Sequence, residues 1–182
     1  MYNYRFHSYI TVLTPNTKTK CERIYNALRL IEPALEDQVQ HIKDNQQYIL
    51  TNPSNFTLAC VSGIYCLYDD DTLLCAGIIE HIQLKRIITM PRFRRRGYAS
   101  LLVTEFAKKM AECGLFAFSP VDEFIEPLFT KLGWLRNQNA NEDGTHDYTP
   151  AETVERYRAY NHNPNIDMSG ILRHFAEIAV KA

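Results

Sequence analysis

Several features are missing from this sequence, and their absence excludes common classes of protein. No stretch approaches the about 18 consecutive apolar residues that a membrane-spanning helix requires. The first residues, MYNYRFHSYI, lack the apolar core of a signal peptide. The formal net charge is only −1, so no overall positive field attracts nucleic acid or an anionic membrane. We therefore expect a cytoplasmic protein without a membrane partner.

Cysteine and histidine occur without the spacing that disulfide frameworks or metal sites need. The five cysteines are odd in number and form no C-x-x-C pair, which argues against both a disulfide framework and a zinc site. The six histidines show no metal-ligand spacing either. We expect no bound metal and a reducing compartment.

What is present is the composition of an ordinary globular protein. The chain of 182 residues is long enough for one domain, and 46% of its residues are hydrophobic while 23% are charged. No repeat, low-complexity block or Gly/Ser-rich linker divides it. We predict one domain over residues 1–149 and a C-terminal helical extension over residues 150–182. The extension carries an amphipathic stripe of Ile171, Leu172, Phe175 and Ile178.

Changes of hydrophobic period along the chain predict the order of the elements. Strands are predicted at Tyr9–Leu13, Ser54–Ser62, Gly63–Tyr68, Thr72–Glu80, Leu84–Met90 and Leu115–Phe118, with a hairpin turn at Asp69–Asp71 and a late turn at Asn141–Gly144. Helices are predicted after the capping box Thr19–Glu22, over Leu35–Ile42, around Leu102–Cys113, over Pro120–Leu132 and from Thr149 onwards, with Pro150 at its first helical position. This order indicates an α/β (α+β) fold: a mixed, mostly antiparallel sheet of about seven strands with helices on both faces.

The most informative stretch is a strand, a short basic turn and the start of a helix. The first N–H groups of a helix have no internal partner, and the helix dipole adds partial positive charge there. Gly97 allows a ligand to approach the backbone, and Arg94, Arg95 and Arg96 supply forked donors for phosphate oxygens. By itself, the pattern is compatible with a pyrophosphate site or with a solvated basic turn.

Two motifs in this part of the chain resemble a known family. Arg94-x-x-Gly97-x-Ala99 resembles the R/Q-x-x-G-x-G/A signature of the GNAT superfamily of acyl-CoA-dependent N-acyltransferases. Further along, the run LFTKLGW from Leu128 to Trp134 is similar to that family's L-Y-E-K-L-G-F ending. The resemblance is tight over residues 84–134, loose over 1–83 and essentially absent beyond 149. It implies a GNAT-like fold for residues 1–149, with acetyl-CoA as co-substrate.

The resemblance also implies roles for individual residues. The backbone of Ile87, Ile88 and Thr89 should hydrogen-bond the pantetheine arm of the coenzyme. The following turn should wrap its pyrophosphate with Arg94, Arg95, Arg96, Gly97, Tyr98, Ala99 and Ser100. The acyl carbonyl would lie where strands Leu84–Thr89 and Leu115–Phe118 diverge. An amine would attack it directly, without an acyl-enzyme.

The residues for proton transfer match the family less closely. Many relatives carry a tyrosine acid where this chain has Phe129, which we interpret as a core aromatic beside Phe124 and Leu128. Asp122 stands where relatives often have asparagine, and we interpret it as a helix cap. Glu80 is the nearest carboxylate and the candidate general base, the alternative being a solvated strand end. The general acid stays unassigned.

Three functions remain open on this basis. The first is an N-acetyltransferase acting on a primary amine of a small molecule, an amino acid, a protein or a nucleic acid. The second is a coenzyme-A-binding regulatory protein without transferase activity. The third is an acyl- or aminoacyl-transferase that modifies nucleic acid. GNAT-like proteins often dimerise, so the final helix should form a homodimer contact or complete the acceptor-side wall.

Overall fold

The structure is a computed structural model that describes residues 1–8, 23–36, 63–80, 83–112 and 117–155. The predicted strands Tyr9–Leu13 and Ser54–Ser62 and the capping box Thr19–Glu22 lie outside these residues. The C-terminal extension beyond residue 155 lies outside them as well.

Four antiparallel strands form the first sheet, in the order β1–β2–β3–β4. They are β1 (Tyr2–Ser8), β2 (Gly63–Asp69), β3 (Thr72–Glu80) and β4 (Gln83–Thr89). The predicted hairpin turn is confirmed, because Asp69 pairs with Thr72 and Asp70 between them has a positive φ of 51°. β1 adds an edge strand that the sequence analysis did not predict.

Three further strands form a second sheet in the order β5–β7–β6. They are β5 (Ser119–Val121), β6 (Trp134–Ala140) and β7 (His146–Pro150). The late turn is confirmed, since Gly144 N donates to Asn141 O at 3.0 Å. The described residues thus contain seven strands in a mixed α/β arrangement, as predicted.

Helices cover both faces of the first sheet, as predicted. α1 (23–29) and α2 (Tyr98–Glu112) lie on opposite faces of this sheet, and α3 (Glu126–Lys131) and α4 (151–155) follow later in the chain. Of the predicted helix Leu35–Ile42 only residues 35–36 are described, and both are helical. α2 packs Leu102, Phe106 and Met110 against one face, together with residues of α3. α1 packs Tyr25 and Leu28 against the other face. Each face therefore has its own apolar cluster, and the sheet is buried between them.

Gly77 of β3 allows α2 to lie close to the sheet. A Cβ at this position would lie 2.7 Å from Leu84 Cδ1 and 3.0 Å from Leu102 Cδ2. Both distances are shorter than normal van der Waals contact, so only glycine fits here without displacing its neighbours. The close packing holds α2 over β3 and β4, with its first turn at the end of β4.

Local predictions around β5 and β7 need correction. The strand predicted at Leu115–Phe118 lies partly outside the described residues, and the observed strand begins at Ser119. The helix predicted over Pro120–Leu132 was wrong at its start, because Pro120 lies in β5 and α3 begins only at Glu126. β7 also extends through Pro150, so α4 begins one residue later than predicted. In both places pairing with a distant strand overrides the local helical signal.

Candidate functional site

The basic turn connects the end of β4 to the start of α2. Pro91–Phe93 form a short 3-10 helix, after which Arg95 and Gly97 adopt positive φ angles of 62° and 83°. A Cβ at Gly97 would have no atom within 4 Å. Glycine is therefore favoured here by the backbone conformation, and the space in front of this residue is open to a ligand.

The turn presents a row of amide groups to that space. In the described part of the chain, the backbone N–H groups of residues 95–100 donate to no protein acceptor, and the first helical bond runs from Leu101 N to Gly97 O at 3.1 Å. These groups lie at the positive end of a helix of 15 residues. Amides and dipole together favour an anion at this position.

Four arginines add positive charge around the same turn, and all four side chains are exposed. Arg94 Nε donates to Thr89 O at 3.4 Å and so ties the turn to the end of β4. The guanidinium groups of Arg92 and Arg96 lie over the Phe93 ring, at 4.7 and 5.8 Å from its centroid. None of the four forms an ion pair with a described residue. The turn is thus a local positive centre in a chain of almost zero net charge.

β4 presents an open edge beside this turn. Met90 N donates to Leu74 O at 3.0 Å, so the alternation of an antiparallel ladder turns Ile88 towards β3 and Ile87 and Thr89 towards the opposite edge. On that edge β5 meets β4 only near its start: Phe118, just before β5, forms a parallel bridge with Gln83, and Ser119 bonds Leu84. The backbone of Ile87 and Thr89 therefore faces a gap between the two sheets, whereas the backbone of Ile88, also predicted to bond the pantetheine arm, faces Ala76 of β3.

A β-bulge marks the point where β4 and β5 diverge. The register with β3 shifts there: Ile78 pairs with Arg86 but Ile79 pairs with Leu84, which leaves Lys85 as the extra residue. Bulges bend a strand and change which side its residues face. The backbone N–H and C=O of Leu84 accordingly point towards β5, and the N–H donates to Phe118 O at 2.9 Å. The result is a cleft closed at Leu84 and open towards the basic turn.

One buried polar residue at the closed end of this cleft was not predicted from the sequence. Ser119 is 3% exposed, and its Oγ donates to Leu84 O at 2.7 Å. Its only signal in the sequence is its place directly before Pro120, where the pattern predicts the start of a helix.

Glu80, the candidate base, lies near the closed end of the cleft. It is the last residue of β3, pairs with Gln83 and is 9% exposed. Strand alternation places its side chain on the same face as Ile78, the face that α1 covers. The structure therefore places this carboxylate beside the divergence of the strands and on the face opposite α2.

Phe129 belongs to the core, as predicted. It is 1% exposed, and its ring centroid lies 5.0 Å from that of Trp134 and 6.0 Å from that of Tyr148. The prediction that Phe124 packs beside it was wrong, since Phe124 is 95% exposed. The prediction that Asp122 caps a helix was wrong, because the N-cap of α3 is Ile125, which has no side-chain cap hydrogen bond. Asp122 instead caps the turn before α3: its Oδ1 accepts the backbone N–H groups of Phe124 and Ile125, each at 3.0 Å. That cap sets the turn that exposes Phe124.

Cys75 is the only described thiol near the cleft, and it is not a nucleophile. Its Sγ lies 3.4 Å from Thr89 Oγ1 on the neighbouring strand. Burial raises the pKa of the Cys75 thiol to about 11, so it stays neutral at physiological pH.

The described residues contain no group of three His, Cys, Asp or Glu side chains placed to hold a metal ion. Among the helices in the same part of the chain, none is both long and apolar enough to cross a membrane.

Comparison with known proteins gives a match in fold. No protein-family model and no curated protein matches the sequence. Among solved structures, a protein assigned as an N-acetyltransferase from Lactobacillus plantarum matches with a TM-score of 0.51 and 16% identity, over 81% of this chain and 94% of its own. A protein from Desulfovibrio desulfuricans assigned to the GNAT acetyltransferases matches with a TM-score of 0.50 and 14% identity, over 82% of this chain and 96% of that protein. The ribosomal-protein-S18-alanine N-acetyltransferase from Escherichia coli matches at 17% identity and a TM-score of 0.35, over 48% of this chain and 65% of that enzyme.

The chain therefore has the fold of the GNAT N-acetyltransferases. Within this fold, the basic turn at the start of α2 and the divergence of β4 from β5 form the candidate site.

Proposed function

We propose that the protein is an acyl-CoA-dependent N-acyltransferase that transfers acetyl from acetyl-CoA to a primary amine. The observation that carries the proposal is the continuity of the basic turn with the open edge of β4. The amides of residues 95–100 and the surrounding arginines suit a pyrophosphate. The backbone of Ile87 and Thr89 suits an extended chain with amide groups, which the pantetheine arm is. One ligand that has both parts in this order is a coenzyme A thioester.

In the proposed reaction the residues of the chain orient the thioester and accept one proton. The amine nitrogen forms a bond to the acyl carbon as the carbon–sulfur bond breaks, and the sulfur leaves as a thiolate. An ammonium group must first lose a proton, and Glu80 is the candidate that receives it through water. Phe129 has no proton to donate and is buried in the core, so the thiolate takes its proton from solvent.

The test is turnover of acetyl-CoA by the full chain with a panel of amines. The panel contains polyamines, free amino acids, peptides with free N-termini or lysines, and tRNA, and the released thiol is measured. We expect release that depends on one class of amine. Saturable binding of acetyl-CoA without turnover would instead support a coenzyme-A-binding protein without transferase activity. Salt-sensitive binding of RNA or DNA would favour a nucleic-acid acceptor.

Glu80→Gln tests the assignment of the base. We expect kcat at neutral pH to fall on the order of 10²-fold, while the KM for acetyl-CoA stays the same, because the carboxylate acts on the amine and not on the coenzyme. Glu123→Gln is the matched control, since Glu123 is exposed in the turn before α3. An unchanged kcat in Glu80→Gln would remove Glu80 from the mechanism.

A further inference from the structure

The divergence of β5 from β4 has a cause in the sequence. In a parallel ladder, a residue that bonds the neighbouring strand through both its N–H and its C=O is followed two residues later by the next such residue. Phe118 is one of them, because it bridges Gln83 and its O accepts from Leu84 N at 2.9 Å. The next bond would run from the N–H of residue 120 to Leu84 O. Residue 120 is proline, which has no N–H to donate.

Ser119 supplies the hydrogen bond that Pro120 cannot make. Ser119 Oγ donates to Leu84 O at 2.7 Å, and the serine is 3% exposed. A carbonyl left without a donor at such a buried position would destabilise the fold. The hydroxyl therefore satisfies Leu84 without extending the ladder. β5 meanwhile continues to Val121 by pairing with β7 on its other side.

We propose that Ser119 and Pro120 are positioning residues that stop the pairing of β4 with β5 and thereby set the depth of the acyl-CoA cleft. The proposal rests on the proposed function, because it assigns the cleft to the pantetheine arm. Pro120 prevents the ladder from closing over the β4 edge, and Ser119 stabilises the end of the cleft at Leu84.

The length of the cleft agrees with the length of that arm. From Thr89, which Arg94 ties to the turn, to Leu84 the strand spans about 17 Å at a rise of about 3.3 Å per residue. A pantetheine arm of roughly thirteen bonds spans about 15 Å when extended, at the same rise per three bonds as a peptide chain. The sulfur of a bound coenzyme therefore reaches the level of Lys85 and Leu84, beside Ser119.

Pro120→Ala is the direct test, because alanine restores the N–H group. We expect the ladder to advance by one bond, so that the amide of residue 120 becomes protected from hydrogen exchange. Residue 120 of β5 is then held against Leu84, which draws β5 towards β4 and narrows the cleft beside Lys85. The Kd of acetyl-CoA should rise about tenfold or more, while 3′-phospho-ADP, which lacks the pantetheine arm, should bind as it does to the wild type. Pro127→Ala is the matched control, since Pro127 lies in the first turn of α3. It should change neither the Kd of acetyl-CoA nor that of 3′-phospho-ADP.

Substitutions of Ser119 separate the effect on stability from the effect on binding. Ser119→Ala removes the donor to Leu84 O, and we expect a lower Tm. The double variant Ser119→Ala/Pro120→Ala returns a donor to Leu84 O from the backbone of residue 120. It should regain most of the Tm that Ser119→Ala loses and still bind acetyl-CoA weakly. If the role of Ser119 and Pro120 were purely structural, the affinity of the double variant for acetyl-CoA would instead recover together with its Tm.

The outcomes distinguish this proposal from the proposed function. Unchanged affinity of Pro120→Ala for acetyl-CoA, or rapid exchange of its residue-120 amide, would overturn the proposal. A wild-type protein that binds neither acetyl-CoA nor 3′-phospho-ADP would overturn the proposed function and, with it, the assignment of the cleft. In that case the exchange of the residue-120 amide still decides whether Pro120 stops the ladder.

Discussion

Replacement of Phe129 by alanine tests whether this residue holds α3 against the second sheet. The ring is 1% exposed and contacts Trp134 of β6 and Tyr148 of β7 at centroid distances of 5.0 and 6.0 Å. Truncation of a buried Phe to Ala costs about 3–5 kcal/mol, because the apolar contacts are lost and a cavity remains. At about 2–4 °C per kcal/mol for a chain of this size, the Tm should fall by roughly 10 °C.

The assay is urea unfolding followed by two probes. Trp134 is the only tryptophan of the chain, so its fluorescence reports on the region around Phe129, and far-UV circular dichroism gives a reading that does not depend on the indole. Phe124→Ala is the control, because this phenylalanine is 95% exposed and its truncation should change the free energy of unfolding by less than about 0.5 kcal/mol. A loss below about 1 kcal/mol in Phe129→Ala, or equal losses in the two variants, would refute the packing argument.

Three further predictions concern the turn, the buried thiols and the C-terminal extension. Gly97→Trp should abolish acetyl-CoA binding and leave the fold intact. Gly144→Trp is the control and should still bind acetyl-CoA, because Gly144 has a similar φ of 81° and equally open surroundings but lies away from the basic turn. Calorimetry measures acetyl-CoA binding by both variants. Burial raises the pKa of Cys66 to about 12 and that of Cys75 to about 11. Unfolded thiols ionise near pH 9, so these two groups should not affect the free energy of unfolding below that pH. As the pH rises towards 11, each thiol should lower the free energy of unfolding by about 1.4 kcal/mol per pH unit. Urea titrations from pH 8 to pH 10 measure this slope, and Cys75→Ala should reduce it. A chain stopped after Asn161 should lose either its dimer in sedimentation or its activity towards the amine; a monomer in both forms with unchanged activity would contradict both roles of the extension.

Some parts of the fold were predictable because the signal lies within a few adjacent residues. The strand Thr72–Glu80 was predicted with its observed bounds, since its apolar run begins directly after a turn of three aspartates. The basic turn was predicted because Gly97, the arginines and the following helical period are contiguous in the sequence. β1 was missed although Tyr2, Tyr4 and Phe6 alternate with polar residues, because three alternating positions at the end of a chain are a weak signal.

The roles of other residues became visible only in the tertiary structure, because they depend on partners distant in the sequence. Ser119 bonds a carbonyl 35 positions earlier, and Pro120 matters only because the strand beside it would otherwise receive its N–H. Phe124 and Phe129 are the same residue type five positions apart, yet one is exposed and one buried, since Asp122 caps the turn of the first and β7 covers the second. The sequence by itself determined the turns at Asp69–Asp71 and Asn141–Gly144 and the strand and helix on either side of the basic turn, because those choices follow from backbone freedom and local period. Which strand edge stays open for a ligand was decided only when two strands met, because a missing hydrogen bond has an effect only once its acceptor is in place.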